Sequence, residues 1–558
     1  MNRKKEIIIL AIILAIFILI RVWGLDFSYF QDERKYAGVG PFGSGEMIDT
    51  PHPPIGEFLW SLTATVFGND NFRFTPFIFS IANLFLLYYL VKRWFGIKAA
   101  LWSSLFFSIS FYSVLASHTV DLDGAVLPFS FLLSLVYYFK FREVDSYKWG
   151  IALLVSLALG FFTKLSFIIL IGAIITDFIF EKRHLFSKKL IRGTTFLVLG
   201  ILAVGGFLFF RAESILQDGG VLKAINYARD FSNISGRSYL QILIQVSKAI
   251  FYASPLLIAI PFFITRKRLA EIRIFIIFFI LSFLFYVVLF DFSRAALDKY
   301  LALIVVPLSV ISGVAISDFL KGAGGIRQVL KNKLSVFWAL YAGAVLLFIN
   351  FLPHVAPPQY PKEEWFGRIL SFDWNFLFPF TGGSGPLGFY VSWLFIGVVW
   401  ILTATLVVLY FAKRKLRQGV LIAVLVVGAL YNFIFVEEYL FGKFNGDSYA
   451  LLNNAVRYIE DNDEIKSIIT YRDIGGTELT NIGKYEKRIY AIPKNEKVHA
   501  DLLNSFHGHY LVINIPKIEE DSMYTKYFDS CKIIYQKYSG HIPAIIYDCK
   551  KSEEAMVE

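Results

Sequence analysis

Four polar segments interrupt the long apolar runs of this chain. They are Asp32-Glu33, the turn from Ser117 to Gly124 with His118, Asp121 and Asp123, the pair Thr163-Lys164, and the loop from Asp291 to Tyr300 with Arg294 and Lys299. A carboxylate can accept the proton of an attacking hydroxyl, and ammonium or guanidinium groups can hold a phosphate. Each segment also has a plainer reading. An acidic pair such as Asp32-Glu33 is common at solvated turns. Asp121-x-Asp123 invites a divalent cation as cofactor, but a metal needs further oxygen donors that the segment scarcely supplies, and capping of a helix explains the same residues. A lone Lys164 at the end of an apolar run can simply snorkel to water. Taken together, three cations and several carboxylates at span ends fit a site for a membrane-embedded phosphate with a proton-accepting base.

The elements that must position these groups are read from composition. The 558 residues are 56% hydrophobic and only 18% charged, against about 25% charged in ordinary soluble domains. A single soluble globule is excluded. Residues 441–558 carry 15 Lys/Arg and 18 Asp/Glu, while the first 440 residues carry 66 charges in all. The first part therefore reads as membrane and the second as a water-soluble domain.

Apolar stretches of spanning length lie at 7–20, 74–91, 99–117, 124–139, 149–163, 165–180, 193–210, 241–264, 274–290, 300–320, 334–352, 388–411 and 419–440. They predict thirteen transmembrane helices, with no cleaved signal peptide at the start. With the N-terminus inside, the inner loops and their flanks hold 26 Lys/Arg against 12 in the outer loops, which fixes the orientation. An odd number of spans then places the tail, and all four polar segments, on the outer side. The expected location is the cell membrane, multi-pass, with a cytoplasmic N-terminus and an extracytoplasmic C-terminal domain. The basic residues sit in short clusters between apolar runs, so nucleic acid is not expected as a partner.

Between the first two spans, His52-Pro53-Pro54 precedes apolar residues at helical spacing, from Ile55 to Phe67. The pattern predicts a helix over 54–67 that lies in the membrane interface and covers a cavity. Phe372, Trp374, Phe376, Phe378 and Phe380 in the outer loop 353–387 are read as an interfacial aromatic belt. In the tail, Ala450 to Ile459 is helical, and β-rich runs occur near 468–471, 510–515, 532–538 and 544–547, an α/β pattern. His507-Gly508-His509 is read as a solvated turn. Cys531 and Cys549 are equidistant from Gly540 in a predicted hairpin, which would set them opposite each other.

Asp32-Glu33, His52-Pro53-Pro54, the Asp123 turn, Thr163-Lys164 and Lys299-Tyr300-Leu301 followed by Pro307, in this order and on one side, resemble the protein O-mannosyltransferase and lipid A aminoarabinose transferase superfamily. The resemblance covers residues 7 to 320. It implies a polytopic α-helical membrane protein of the GT-C fold (1–440) followed by the soluble α/β domain (441–558). It further implies transfer of a hexose or pentose from a polyprenyl-phosphate sugar to a protein, lipid or glycan acceptor, with inversion. Asp32 would be the general base and Glu33 would orient a substrate. His52, Asp121, Asp123, Lys164, Arg294, Lys299 and Tyr300 would bind substrate, the cations taking the phosphate. Many relatives carry a Lys a few residues after the proline motif, where this chain has Glu57. The competing reading is a transporter or flippase of a lipid-linked glycan. Such proteins show paired half-repeats and polar residues at mid-span, and no matching halves are visible here.

Overall fold

A computed structural model of the chain describes residues 2–30, 32–37, 54–144, 146–182, 237–289, 297–355, 367–380, 387–489, 507–515, 518 and 523–549. Helix α1 (Arg3–Val22) is capped by Asn2, whose side chain accepts from Lys4 N. A short α2 (Asp32–Ala37) and α3 (Pro54–Phe67) precede α4 (Phe74–Phe95), α5 (Ile97–Ile109), α6 (Phe111–His118), α7 (Leu127–Val144), α8 (Tyr147–Thr163) and α9 (Ile168–Lys182). Then follow α10 (Tyr239–Ala259), α11 (Arg273–Leu284), α12 (Leu297–Leu301), α13 (Val305–Gly322), α14 (Lys333–Ile349), α15 (Trp393–Ala412) and α16 (Arg417–Leu440).

Six described helical segments are long and apolar enough to cross a membrane: Phe74–Phe95, Leu122–Val144, Tyr239–Phe263, Lys299–Gly322, Trp393–Ala412 and Arg414–Leu440. A seventh results if α5 and α6, bent by 62°, count as one. Thirteen is therefore not reached among the described residues, and the physical reason is visible. The stretch 99–117 is broken at Ser110, whose ψ of 125° leaves the helix. The freed Phe111 N–H donates to the Asn432 side chain at 3.0 Å. Helices α8 and α14 have 17 residues each and α9 has 15, at or below the usual spanning length of about 17–25. The stretch 193–210 lies outside the described residues.

Helix α3 forms as the periodicity predicts. Phe58, Leu62 and Val66, four residues apart, are exposed along one face, while Gly56 lies so close to Leu122 that a Cβ would be 2.7 Å from its methyl carbon. The apolar stripe is thus left for lipid while the opposite face packs on the Asp121–Asp123 turn.

The loop aromatics depart from the belt reading. Phe376, Phe378 and Phe380 are buried, because 377–380 is a strand, β1 (Leu377–Phe380), paired antiparallel with β2 (Phe389–Ser392). Alternation sends Phe378, Phe380, Phe389 and Val391 into the helical core and Leu377 and Tyr390 into a second core. Of the five rings, Phe372 remains fully outside, 78% exposed.

That second core belongs to the C-terminal region. Helix α17 (Ser448–Glu460) is capped by Asp447, and its buried face of Leu451, Leu452, Ala455, Val456 and Ile459 follows the helical period. It packs with α18 (Gly476–Asn481) and α19 (Met523–Phe528) on a sheet of β3 (Ile468–Tyr471), β4 (Tyr485–Ile489), β5 (His509–Ile513), β6 (Lys532–Ser539) and β7 (Ile542–Asp548). The order is β4-β3-β5-β7-β6, with β3 parallel to both neighbours and the β5–β7 and β6–β7 pairs antiparallel. His509 is buried in β5 rather than standing in a solvated turn, 3.7 Å from Asp548. Phe30 from the first interhelical loop joins this core.

Candidate active site

The turn after α6 is built by Asp121. Its extended backbone ends one segment, and its carboxylate accepts from Leu122 N at 2.6 Å and Asp123 N at 3.3 Å, starting a π-helical turn (Leu122–Val126) that runs into α7. Gly124 is needed there because a Cβ would stand 2.8 Å from the Ala116 carbonyl. Capping leaves the second oxygen of Asp121 available, and it accepts from Lys299 Nζ at 3.1 Å. Lys164 Nζ lies 3.8 Å from Asp121 Oδ1 and bonds Asp123 Oδ2.

Lys164 and Lys299 reach this point from α8's end and from α12, 135 positions apart. Both ammoniums sit over the Tyr300 ring, at 4.8 and 4.9 Å from its centroid. Asp121 and Asp123 are buried, whereas the Lys164 and Lys299 side chains keep 11% and 15% exposure. Asp123 Oδ1 is buried with no hydrogen-bond partner among the described residues. Five of the residues singled out in the sequence therefore form one cluster of two carboxylates, two ammoniums and a ring. No three His, Cys, Asp or Glu groups converge as metal ligands among the described residues.

Glu33 stands beside this cluster. Its carboxylate receives both Nη atoms of Arg73, at 2.6 and 2.8 Å, and also accepts from Val120 N at 2.9 Å and Phe30 N at 3.1 Å. Arg73 donates further to the carbonyls of Phe27, Ser28 and His118. Burial works against the charged guanidinium, but the Glu33 carboxylate more than offsets it and holds Arg73 above its ordinary value. The pair ties α2 to the residue immediately before Asp121. Asp32 is the first residue of α2, and its side chain, like His52 and Arg294, lies outside the described residues. Arg73 was not foreseen in the sequence, where it reads as one more cation at a span start; only its pairing across 40 residues reveals it.

The site can hold an anion with two ammoniums at the rim and place a carboxylate-bearing helix next to it. Residues 51–205 match the family model described as dolichyl-phosphate-mannose-protein mannosyltransferase. A search of curated protein sequences returns no match. Among solved structures, the apo crystal structure of ArnT from Cupriavidus metallidurans aligns over 97% of both chains with 14% identity and a TM-score of 0.50. The same ArnT bound to undecaprenyl phosphate aligns over 99% of both chains with 14% identity and a TM-score of 0.49. The resemblance read from the polar motifs is therefore found again by family model and by fold, and the chain is similar to the membrane glycosyltransferases of the GT-C type.

Proposed function

We propose that the protein transfers one sugar, a hexose or a pentose, from a polyprenyl-phosphate donor to an acceptor on the extracytoplasmic side, with inversion at the anomeric carbon. The observation that carries this reading is the convergence of Lys164, Lys299 and Tyr300 on Asp121 and Asp123, next to the Glu33–Arg73 pair that anchors Asp32's helix. Phosphate is a good leaving group, so the protein's work is to hold it and to take a proton. The acceptor oxygen bonds to the anomeric carbon as the bond from that carbon to the phosphate oxygen breaks. The acceptor proton passes to the Asp32 carboxylate. The electron pair departs with the phosphate, whose added charge Lys164 and Lys299 stabilise, with Arg294 as a third cation from the same loop. Asp121 and Asp123 keep the ammoniums aimed while the phosphate approaches. His52 precedes α3 and is assigned to the same substrate site.

The test is incubation of the purified protein with polyprenyl-phosphate mannose, glucose and aminoarabinose, with candidate acceptors, reading release of polyprenyl phosphate. Asp32→Asn is expected to remain folded and lose about 10²–10⁴-fold in transfer, the usual range for a lost general base. Full transfer by that variant removes Asp32 from the mechanism.

A further inference from the structure

The first interhelical loop is gripped from above by the C-terminal region. Arg34, two residues after Asp32, forms an ion pair with Asp473, and both side chains are completely buried although the residues are 439 positions apart. Tyr485 donates to Asp473 Oδ1 at 2.6 Å and lays its ring 4.9 Å under the Arg34 guanidinium. Arg34 Nη2 lies 3.4 Å from Thr480 Oγ1, and Arg488 Nη1 lies 3.9 Å from Asp473 Oδ2. A Cβ at position 476 would overlap the guanidinium, so any larger residue there would displace the pair.

The backbone that delivers the carboxylate is itself unusual. Arg472 and Asp473 have φ of 54° and 68°, a left-handed conformation that costs non-glycine residues energy and persists where its surroundings impose it. Further grips lie on either side. Thr477 Oγ1 donates to the Tyr29 carbonyl at 3.2 Å, and the Phe27 ring stacks on Tyr449 with centroids 3.7 Å apart. The Ser28 hydroxyl bonds Glu478, whose carboxyl burial pushes up.

We infer that the C-terminal region is a positioning device for the reaction: the Arg34–Asp473 pair locks α2, and with it Asp32, at the height and angle needed against the Asp121–Asp123–Lys164–Lys299 cluster. A six-residue helix cannot hold itself in place. Glu33 fixes its start from the helical bundle through Arg73, and Arg34, the next residue, fixes it from the sheet. A desolvated ion pair contributes little net stability, but a directional contact held between buried partners restricts orientation. Positioning matters because a displacement of about 1 Å at a reacting group costs on the order of 10²-fold in rate.

This inference rests on the reading of Asp32 as the base, and the experiment separates the two. Full-length Arg34→Met, Asp473→Asn and Tyr485→Phe are assayed with whichever of polyprenyl-phosphate mannose, glucose or aminoarabinose the wild type turns over. Binding of polyprenyl phosphate alone is measured in parallel. Positioning predicts kcat lowered at least tenfold in Arg34→Met and Asp473→Asn, less in Tyr485→Phe, with donor KM and polyprenyl-phosphate affinity within about threefold of wild type. The charge exchange Arg34→Asp with Asp473→Arg should recover part of kcat. Should Arg34→Met fail to fold, Asp473→Asn and Tyr485→Phe, which keep the guanidinium and the local shape, decide. Unchanged kcat in folded clamp variants overturns the inference even when Asp32→Asn is inactive. An active Asp32→Asn overturns the base assignment instead, whatever the clamp variants do.

Discussion

At the level of single residues, the cluster of Asp121, Asp123, Lys164, Lys299 and Tyr300 was legible in the sequence. Charged groups at the ends of apolar runs are expensive and must find partners, so carboxylates and ammoniums of one depth are drawn to one another. The partners themselves were not legible. Glu33 reads as a substrate-orienting acid, yet both its oxygens are engaged by Arg73 and by backbone N–H groups. Arg34 reads as a loop cation until Asp473 is seen beside it. Long-range ion pairs leave no periodic trace. The pairing of Lys164 with Asp123 makes a prediction. If Lys164 holds the donor phosphate as proposed, Lys164→Ala removes a charge-assisted contact, typically about 1.5–3 kcal/mol, and should weaken polyprenyl-phosphate binding by about 10–150-fold while acceptor binding is little changed. Equal affinity for polyprenyl phosphate in a titration of this variant contradicts its role in the site.

Elements show a similar mixture. Strands β3, β5, β6 and β7 and helix α17 fall where the alternation and the helical period put them, but β4 was missed because Lys, Glu and Arg fill its half-exposed face. The cysteine pair was expected from symmetry about Gly540, and the disulfide between Cys531 and Cys549 is present. The symmetry about Gly540 holds at the cysteine end and is offset by one beside the turn. Ser539 pairs with Ile542 at the turn, a register that would carry Cys531 past Cys549. An extra residue between Ile533 and Tyr535 shifts the far end of β6 by one and brings the two cysteines opposite.

A second element-level consequence concerns pH. After α14, His354 Nε2 lies 2.6 Å from Ser392 Oγ, and that oxygen caps α15 by accepting from Phe395 N. Burial, with His541 nearby, lowers the His354 pKa from 6.5 to about 4. The native state therefore keeps His354 neutral while the unfolded chain takes up a proton below about 6.5. Stability rises with pH across this window and is lost as pH falls from about 6.5 to about 4. Thermal melting should show the wild type losing more Tm over that interval than His354→Gln. Parallel melting curves for the two proteins would remove His354 from the acid response.

For the whole molecule, residues 1–440 and 441–558 differ in charge, and the structure holds two main cores, one of apolar helices and one around a sheet that also takes in Phe30, Leu377 and Tyr390. What composition did not show is the layer between them. The β1–β2 pair sends alternate side chains into each core, and Tyr390 of β2 donates to the Asn514 carbonyl above it at 2.9 Å. The Ser539-Gly540-His541 tip of the β6–β7 hairpin presses on Asn445, where His541 N donates to the Asn445 carbonyl at 2.8 Å. The sheet is thus seated directly on the end of the bundle that holds the candidate site, and the two must face the same side of the membrane. The excess of Lys/Arg in the opposite loops predicts that this side is extracytoplasmic, and a disulfide beside the sheet suits an oxidising compartment. An epitope fused after residue 558 should therefore be removed by protease added to intact spheroplasts. An epitope placed before α1 should survive until the membrane is permeabilised. The reverse pattern would place the site on the cytoplasmic face and require a donor whose sugar phosphate is presented there.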